Sequence, residues 1–307
     1  MEADPGIWVQ ERYVVLGPYG EGGCSEVDWG WDTKEQKWIV IKKLHQTKWE
    51  KVSHEIECSR KFNLPQCVKC IDWFELDSKF ILVFDYIDHL PLREVLPKFQ
   101  WCDIQRFTGQ LLWLLNQFHT GGMIHRDLKP SNLLLDRQTL DIRLIDYGMC
   151  LLGKPNLEPK LKKWGNWTWE PTSHRTGTPA FLAPEQEKDY ETSRSWIPTP
   201  AIDIWAVGCI LMEWWTGKGP FFSSQKRNKK NIWSDMWQKR KWNDEWIKSV
   251  KRPDLPENHE MEEYFSNFVS LCFTINPERR PNTKKLLQHK FIQNGSYQSC
   301  LLFQSVR

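Results

Sequence analysis

The hydrophobic period of this chain changes once, near residue 100, and that change limits the folds open to it. The first 85 residues carry short β-branched and aromatic runs, Tyr13–Leu16, Trp38–Ile41 and Phe80–Phe84, each bounded by turn residues or charges. They read as strands. From Asp103 onward Ile104, Phe107, Leu111, Leu114, Leu115 and Phe118 recur at three- and four-residue steps, one face of a helix. Gly121-Gly122 supplies the stop signal. A second buried helix is expected from about Ile202 to Trp215. The expected class is α+β: a small β-rich lobe, then a larger helical lobe, joined through Asp85–Pro91. At 307 residues the chain can bury such a core without disulfide or metal staples.

Charged residues make up 26% of the chain and the mean hydropathy is -0.59, as in an ordinary globular protein. A collagen-like chain, a membrane bundle and a wholly disordered chain are excluded. The longest apolar stretch, around Leu111–Leu115, is too short to span a bilayer. The opening MEADPGIWVQ lacks the basic flank and apolar core of a signal peptide. Net charge is +3 with a pI near 8.3, too mild to argue for nucleic acid. Nine scattered cysteines fit a reduced compartment better than a disulfide framework. Cys67-x-x-Cys70 has no second pair at zinc-site spacing. The 19 tryptophans are unusual, and Trp164, Trp167 and Trp169 sit in a polar stretch. Lineage bias or recoded codons account for such an excess better than an aromatic binding surface does. Leu152–Arg175 and Gln225–His259 read as loops; QKRNKKN in the second reads as a solvated run or a nuclear import signal.

Several short patterns carry chemistry. Gly20-Glu21-Gly22-Gly23-Cys24-Ser25-Glu26-Val27 follows a strand, and its glycines let backbone N–H groups approach phosphate oxygens. It is not a Walker A loop, because no Gly-Lys-Ser/Thr follows. Ile39-Val40-Ile41-Lys42 is a strand ending in lysine, and Glu55 opens a helical pattern thirteen residues on. A Lys–Glu pair can aim a lysine at phosphates; Glu57 is the competing partner, and the position of Glu55 before Ile56 favours it. His125-Arg126-Asp127-Leu128-Lys129-Pro130-Ser131-Asn132 comes next, then Asp146-Tyr147-Gly148, then Gly177-Thr178-Pro179 and Ala183-Pro184-Glu185.

In this order the motifs resemble those of the eukaryotic protein kinases over roughly residues 11–292. Asp203-Ile204-Trp205-Ala206-Val207-Gly208 and Pro277-Glu278-Arg279-Arg280-Pro281 match later motifs of that family. The resemblance implies a bilobal fold, residues 11–87 and 88–292, with an extension over 1–10, a tail over 293–307 and ATP between the lobes. It implies that Asp127 handles the substrate hydroxyl proton and Lys129 neutralises the transferring phosphoryl group. Asn132 and Asp146 would hold Mg²⁺, whose preference is for hard oxygen ligands. Lys42, paired with Glu55, would meet the α/β-phosphates under the loop of Gly20, Gly22, Gly23 and Ser25. Val27, Val40 and Leu134 would sandwich adenine, and Asp85–Ile87 would bond its edge through the backbone, behind Phe84. Glu185 and Arg280 would form a structural ion pair.

Lys129 and Thr178 are the serine/threonine form of these motifs. The stretches Tyr86–Asn132, Arg175–Phe181 and Thr199–Trp205 are similar to the cell-division-cycle kinases that fire replication origins, with casein kinase two as the alternative relative. That likeness implies protein substrates, acidic or phosphorylated ones above all, an activating regulatory subunit, and a nuclear or cytoplasmic home, with no nucleic acid or membrane partner. Leu182 stands where the origin-firing group tends to carry a basic residue. Tyr147 in the Asp-x-Gly motif brings a hydroxyl that needs a partner if buried. Ser59 and Cys70 are small where large apolar groups are usual, so loose packing of the Glu55 helix is expected. Arg126 permits control by phosphorylation at Thr168, Thr172, Ser173 or Thr176. A pseudokinase scaffold is disfavoured because Lys42, Asp127, Asn132 and Asp146 are all present.

Overall fold

A computed structural model describes residues 7–22, 25–45, 47–155, 167–172, 176–186, 196–217 and 255–294. The chain divides into two compact units, Met1–His89 with Leu135–Gly148, and Leu90–Leu134 with Met149–Arg307.

The first unit is an antiparallel sheet with one helix. The strands of that sheet are β1 (Ile7–Val9), β2 (Tyr13–Gly22), β3 (Ser25–Asp32), β4 (Lys37–Leu44), β5 (Cys70–Leu76) and β6 (Lys79–Asp85), in the order β1-β2-β3-β4-β6-β5; Ile142–Leu144 is a further short strand of this unit outside it. Residues 7–9, expected in an extension, are thus an edge strand, with Trp8 opposite Val14. Alternation sorts the side chains, as the two-residue period of a strand requires. Val9, Tyr13, Val15, Ile39, Ile41, Ile81 and Val83 form the core on one face. On the other face the register aligns Trp8, Val14, Trp31 and Trp38 in a row. Trp8 and Trp38 are exposed. Helix α1 (Trp49–Arg60) covers the remaining part of that face, where Val52 and Ile56 pack with Leu44, Cys70 and Leu82.

The second unit is mainly helical: α2 (Leu92–Val95), α3 (Trp101–Thr120), α4 (Ala201–Thr216), α5 (His259–Cys272) and α6 (Thr283–Leu287). The Ile104–Phe118 stripe of α3 is buried as its spacing predicts. The helix starts two residues before Asp103, because Asp103 closes back on the Gln100 N–H at 3.0 Å. Helix α4 is buried nearly all round and ends at Gly217. Trp101, Trp214 and Trp215 cluster on Phe265 with ring centroids 5.0–5.9 Å away, so part of the tryptophan excess is core. Leu152–Arg175 is not all loop: Lys154–Pro155 and Trp167–Thr168 pair as short antiparallel strands. Gly23, Cys24, Lys160, Lys162, Lys163, Trp164, Ser173, Arg175, the QKRNKKN run and residues 295–307 lie outside the described residues. Among the described residues, no helix is long and apolar enough to cross a membrane.

Candidate active site

The first unit gathers Lys42, Glu55 and Asp146. Strand β4 points Lys42 to the face that α1 covers, and Glu55 stands on the buried side of that helix. Lys42 Nζ donates to Glu55 Oε1 at 2.7 Å and to Asp146 Oδ1 at 3.0 Å. Burial disfavours the Lys42 ammonium, but Glu55 and Asp146 outweigh it and raise its pKa above the usual lysine range. Glu57, the competing partner, is exposed.

Asp146 is brought there by backbone bonds: Val68 N–H donates to the Leu144 carbonyl at 3.1 Å and Leu144 N–H to Gln66 at 2.7 Å. Its φ is +65°, a left-handed conformation that surrounding structure must hold. Tyr147 is buried and its hydroxyl donates to the Leu144 carbonyl at 3.1 Å, which answers the cost of burying that oxygen. Ser59 and Cys70 are not simply loose. Ser59 Oγ donates to the Ile56 carbonyl and accepts from Cys70 N–H at 3.2 Å. Arg60 also donates to the Cys70 carbonyl, so α1 is tied to β5 by polar bonds where bulk is missing.

Gly20 and Gly22 lie in β2 opposite Val27 and Ser25. Val40 pairs with Trp29, and Val27 with Lys42, so both valines share the Lys42 face. Asp85 ends β6 and its carboxylate takes Lys37 at 2.5 Å. The Ile87 carbonyl meets a His89 ring nitrogen at 2.8 Å. Sequence reasoning missed the aromatic group beside these residues. An irregularity between Pro18 and Gly20 leaves Tyr19 unpaired, and its ring meets Trp29 at 5.1 Å, while Tyr86 stacks on Trp29 at 5.5 Å. Only the strand register reveals that neighbourhood.

The second unit gathers Asp127, Lys129, Asn132 and Thr178; Leu134 is also in this unit. Asp127 Oδ1 accepts the Thr178 N–H at 2.8 Å and its hydroxyl at 2.7 Å. Asp127 Oδ2 accepts Lys129 Nζ at 2.8 Å and Asn132 Nδ2 at 3.3 Å. Lys129 Nζ also reaches Thr178 Oγ1 at 2.9 Å. Gly177, at φ +114°, lets this turn approach; a Cβ there would stand 2.6 Å from the Arg126 carbonyl oxygen.

Asp203, in the first turn of α4, holds the chain leading into Asp127. Its carboxylate accepts the His125 and Arg126 N–H groups and His119 Nε2, each at 2.9 Å. Burial opposes its charge, but His119, His125 and these bonds lower its pKa below the usual carboxylate range. The signal was an acid in the first turn of a helix whose next nine residues, Ile204–Met212, carry no charge. Arg280 is fully buried and binds Glu185 with two bonds, at 2.7 and 3.1 Å.

The Protein kinase domain model matches residues 13–292. The chain belongs to the protein kinase domain family. It is similar to the serine/threonine-protein kinase RUNKEL of Arabidopsis thaliana, 28% identical over 284 residues, 91% of this chain and 18% of that protein. It is similar to a probable casein kinase II subunit alpha homolog of Encephalitozoon cuniculi, 28% identical over 220 residues, 71% of this chain and 63% of the other. The serine/threonine-protein kinase shk1/pak1 of Schizosaccharomyces pombe is 25% identical over 290 residues, 92% of this chain and 39% of that protein. This kinase domain therefore spans less than two thirds of each of these relatives.

Proposed function

We propose that this chain is an ATP- and Mg²⁺-dependent serine/threonine protein kinase. The observation that carries the reading is the Asp127 carboxylate, held between Thr178, Lys129 and Asn132. A carboxylate so fixed orients a substrate hydroxyl and takes its proton. The hydroxyl oxygen bonds to the γ-phosphorus as the bond to the departing ADP oxygen breaks. Lys129 neutralises charge on the moving group. Lys42, aimed by Glu55, meets the α/β-phosphates beneath Gly20, Gly22, Gly23 and Ser25. Val27, Val40 and Leu134 flank adenine, and Asp85 and Ile87 bond its edge through the backbone. The working domain is residues 11–292, as lobes 11–87 and 88–292, with Ile7–Val9 adding an edge strand to the sheet of the first lobe and 293–307 as a tail.

The donor chemistry fits Mg²⁺. Asn132 Nδ2 is committed to Asp127, which turns its carbonyl oxygen to the ligand role, and Asp146 is a carboxylate 38% exposed. Bound Mg²⁺ supplies charge neutralisation along the phosphates.

Acidic or phosphorylated protein substrates suit Lys154, Lys160, Lys162, Lys163 and Arg175, the basic residues that the sequence carries in the segment before Glu185. Leu182 is buried and does not itself read the substrate. A role in cell-cycle or replication control, with an activating subunit and a nuclear or cytoplasmic setting, rests on the likeness of Tyr86–Asn132 to the origin-firing group. The Encephalitozoon cuniculi relative favours a casein-kinase-two-like role as the second reading. The test is transfer of the ATP γ-phosphate to acidic and basic serine peptides, with Asp146→Asn as control. Mg²⁺-dependent transfer that this substitution abolishes supports the reading; absence of transfer at any peptide and partner tried rejects it.

A further inference from the structure

Trp167 has no role in the chemistry above, yet it is tightly placed. Its indole N–H donates to the Thr120 carbonyl, the last residue of α3, at 2.8 Å. Its ring lies against Gly122, whose φ is +79°; a Cβ there would come within 2.3 Å of the ring. The segment that carries Trp167 is bonded along the same stretch. Gly153 N–H donates to the Gly122 carbonyl at 2.7 Å. Leu151 and Leu152 pair with Ile124 and Met123. Arg126 Nε donates to the Met149 carbonyl at 2.6 Å, and Arg126 Nη2 to Cys150 at 3.5 Å. Trp167 itself stands opposite Pro155, and Trp169, two residues on, is buried.

Residues 120–126 lead directly into Asp127. Arg126 has φ +68°, a strained conformation that persists only when its surroundings hold it. Two-residue strands hold little by themselves. A flat indole laid on a glycine adds dispersion contacts, and the Trp169 ring lies against Gly153 in the same way. The guanidinium that the sequence offers to a phosphate is here also bonded to backbone carbonyls of the segment.

We propose that Trp167 is a positioning residue: by bonding Thr120 and covering Gly122 it fixes the approach to Asp127, so that no phosphate on the segment is needed. This deepens the kinase reading and rests on it for its activity readout.

The full chain is compared with Trp167→Ala, Trp167→Phe and Gly122→Ala, each checked for native circular dichroism. The wild type is also treated with phosphatase and verified by intact mass. Steady-state kinetics and hydrogen exchange of residues 120–127 are measured on all. The expected loss in kcat for Trp167→Ala is about tenfold or more, as a misplaced catalytic group gives, with KM for ATP nearly unchanged and faster exchange at 123–127. Gly122→Ala behaves alike because its Cβ displaces the ring and also strains the backbone at φ +79°; Trp167→Phe keeps a ring and lies between, and the two Trp167 variants alone report on the ring. Phosphatase leaves the wild type unchanged. Wild-type kcat and exchange in Trp167→Ala overturn the proposal, and so does loss of wild-type activity on dephosphorylation. If the wild type transfers no phosphate, the kinase reading fails, and exchange alone decides for or against the Trp167 contact.

Discussion

Thr178 Oγ1 donates to Asp127 Oδ1 at 2.7 Å while accepting from Lys129 Nζ at 2.9 Å. One hydroxyl thus bridges the acid and the cation proposed for the chemistry, which also bond each other directly at 2.8 Å. Thr178→Val keeps the shape and the backbone N–H bond but removes this link. The expected result is a fall in kcat of about tenfold to a hundredfold, the scale of misplacing a catalytic group. Thr178→Ser keeps the hydroxyl and most of the activity. Steady-state kinetics on a serine peptide decide; equal kcat in Thr178→Val and wild type would remove Thr178 from the site.

Asp203 gives a pH signature. Its carboxyl is depressed in the folded chain, so it contributes stability fully above the unfolded aspartate pKa of about 3.9. That contribution is lost as pH falls through the lower folded value. Asp203→Asn cannot accept all three bonds. It should lower Tm at neutral pH and flatten the decline of Tm below about pH 4. Thermal melts across that acid range test it, and parallel Tm–pH curves would contradict it.

Much of the frame was legible because it depends on local period. The stripe of α3, the strands around Trp38–Ile41 and Phe80–Phe84, and the order of the motifs all follow from neighbours in sequence. What stayed hidden depends on partners far along the chain. Asp203 serves amides 77 and 78 residues away. Tyr19, Trp29 and Tyr86 meet only through strand register. The strand at Ile7–Val9 and the pair at Lys154–Pro155 and Trp167–Thr168 are too short to show alternation. The small Ser59 and Cys70 suggested poor packing, because apolar volume is readable and a hydrogen bond between them is not.

Cysteine reactivity should be uneven. Burial pushes the Cys67 and Cys70 thiols up to about 11, and Cys102 is exposed. Thiolates are the reactive form, so at about pH 7.5 an alkylating agent should modify Cys102 and spare Cys67 and Cys70. Peptide mass mapping before and after unfolding checks this. Labelling of Cys67 in the native chain at the rate of Cys102 would mean that the β5 end of the first unit opens readily.

Arg280 is the strongest stability test. Its guanidinium is fully buried and binds Glu185 twice, the Ala201 carbonyl at 2.7 Å and the Thr274 carbonyl at 2.9 Å. Its carbon also lies 5.1 Å from the Trp205 ring centroid. Removing one partner of a buried pair leaves the other charge uncompensated, which costs about 3–5 kcal/mol. Arg280→Met should therefore destabilise by that amount. The double variant Arg280→Met, Glu185→Leu should recover part of it, since no lone carboxylate remains. The recovery stays partial because the Ala201 and Thr274 carbonyls lose their donor in both variants. Denaturant unfolding of the four members of this cycle measures the coupling; additive losses would show that Glu185 and Arg280 act independently.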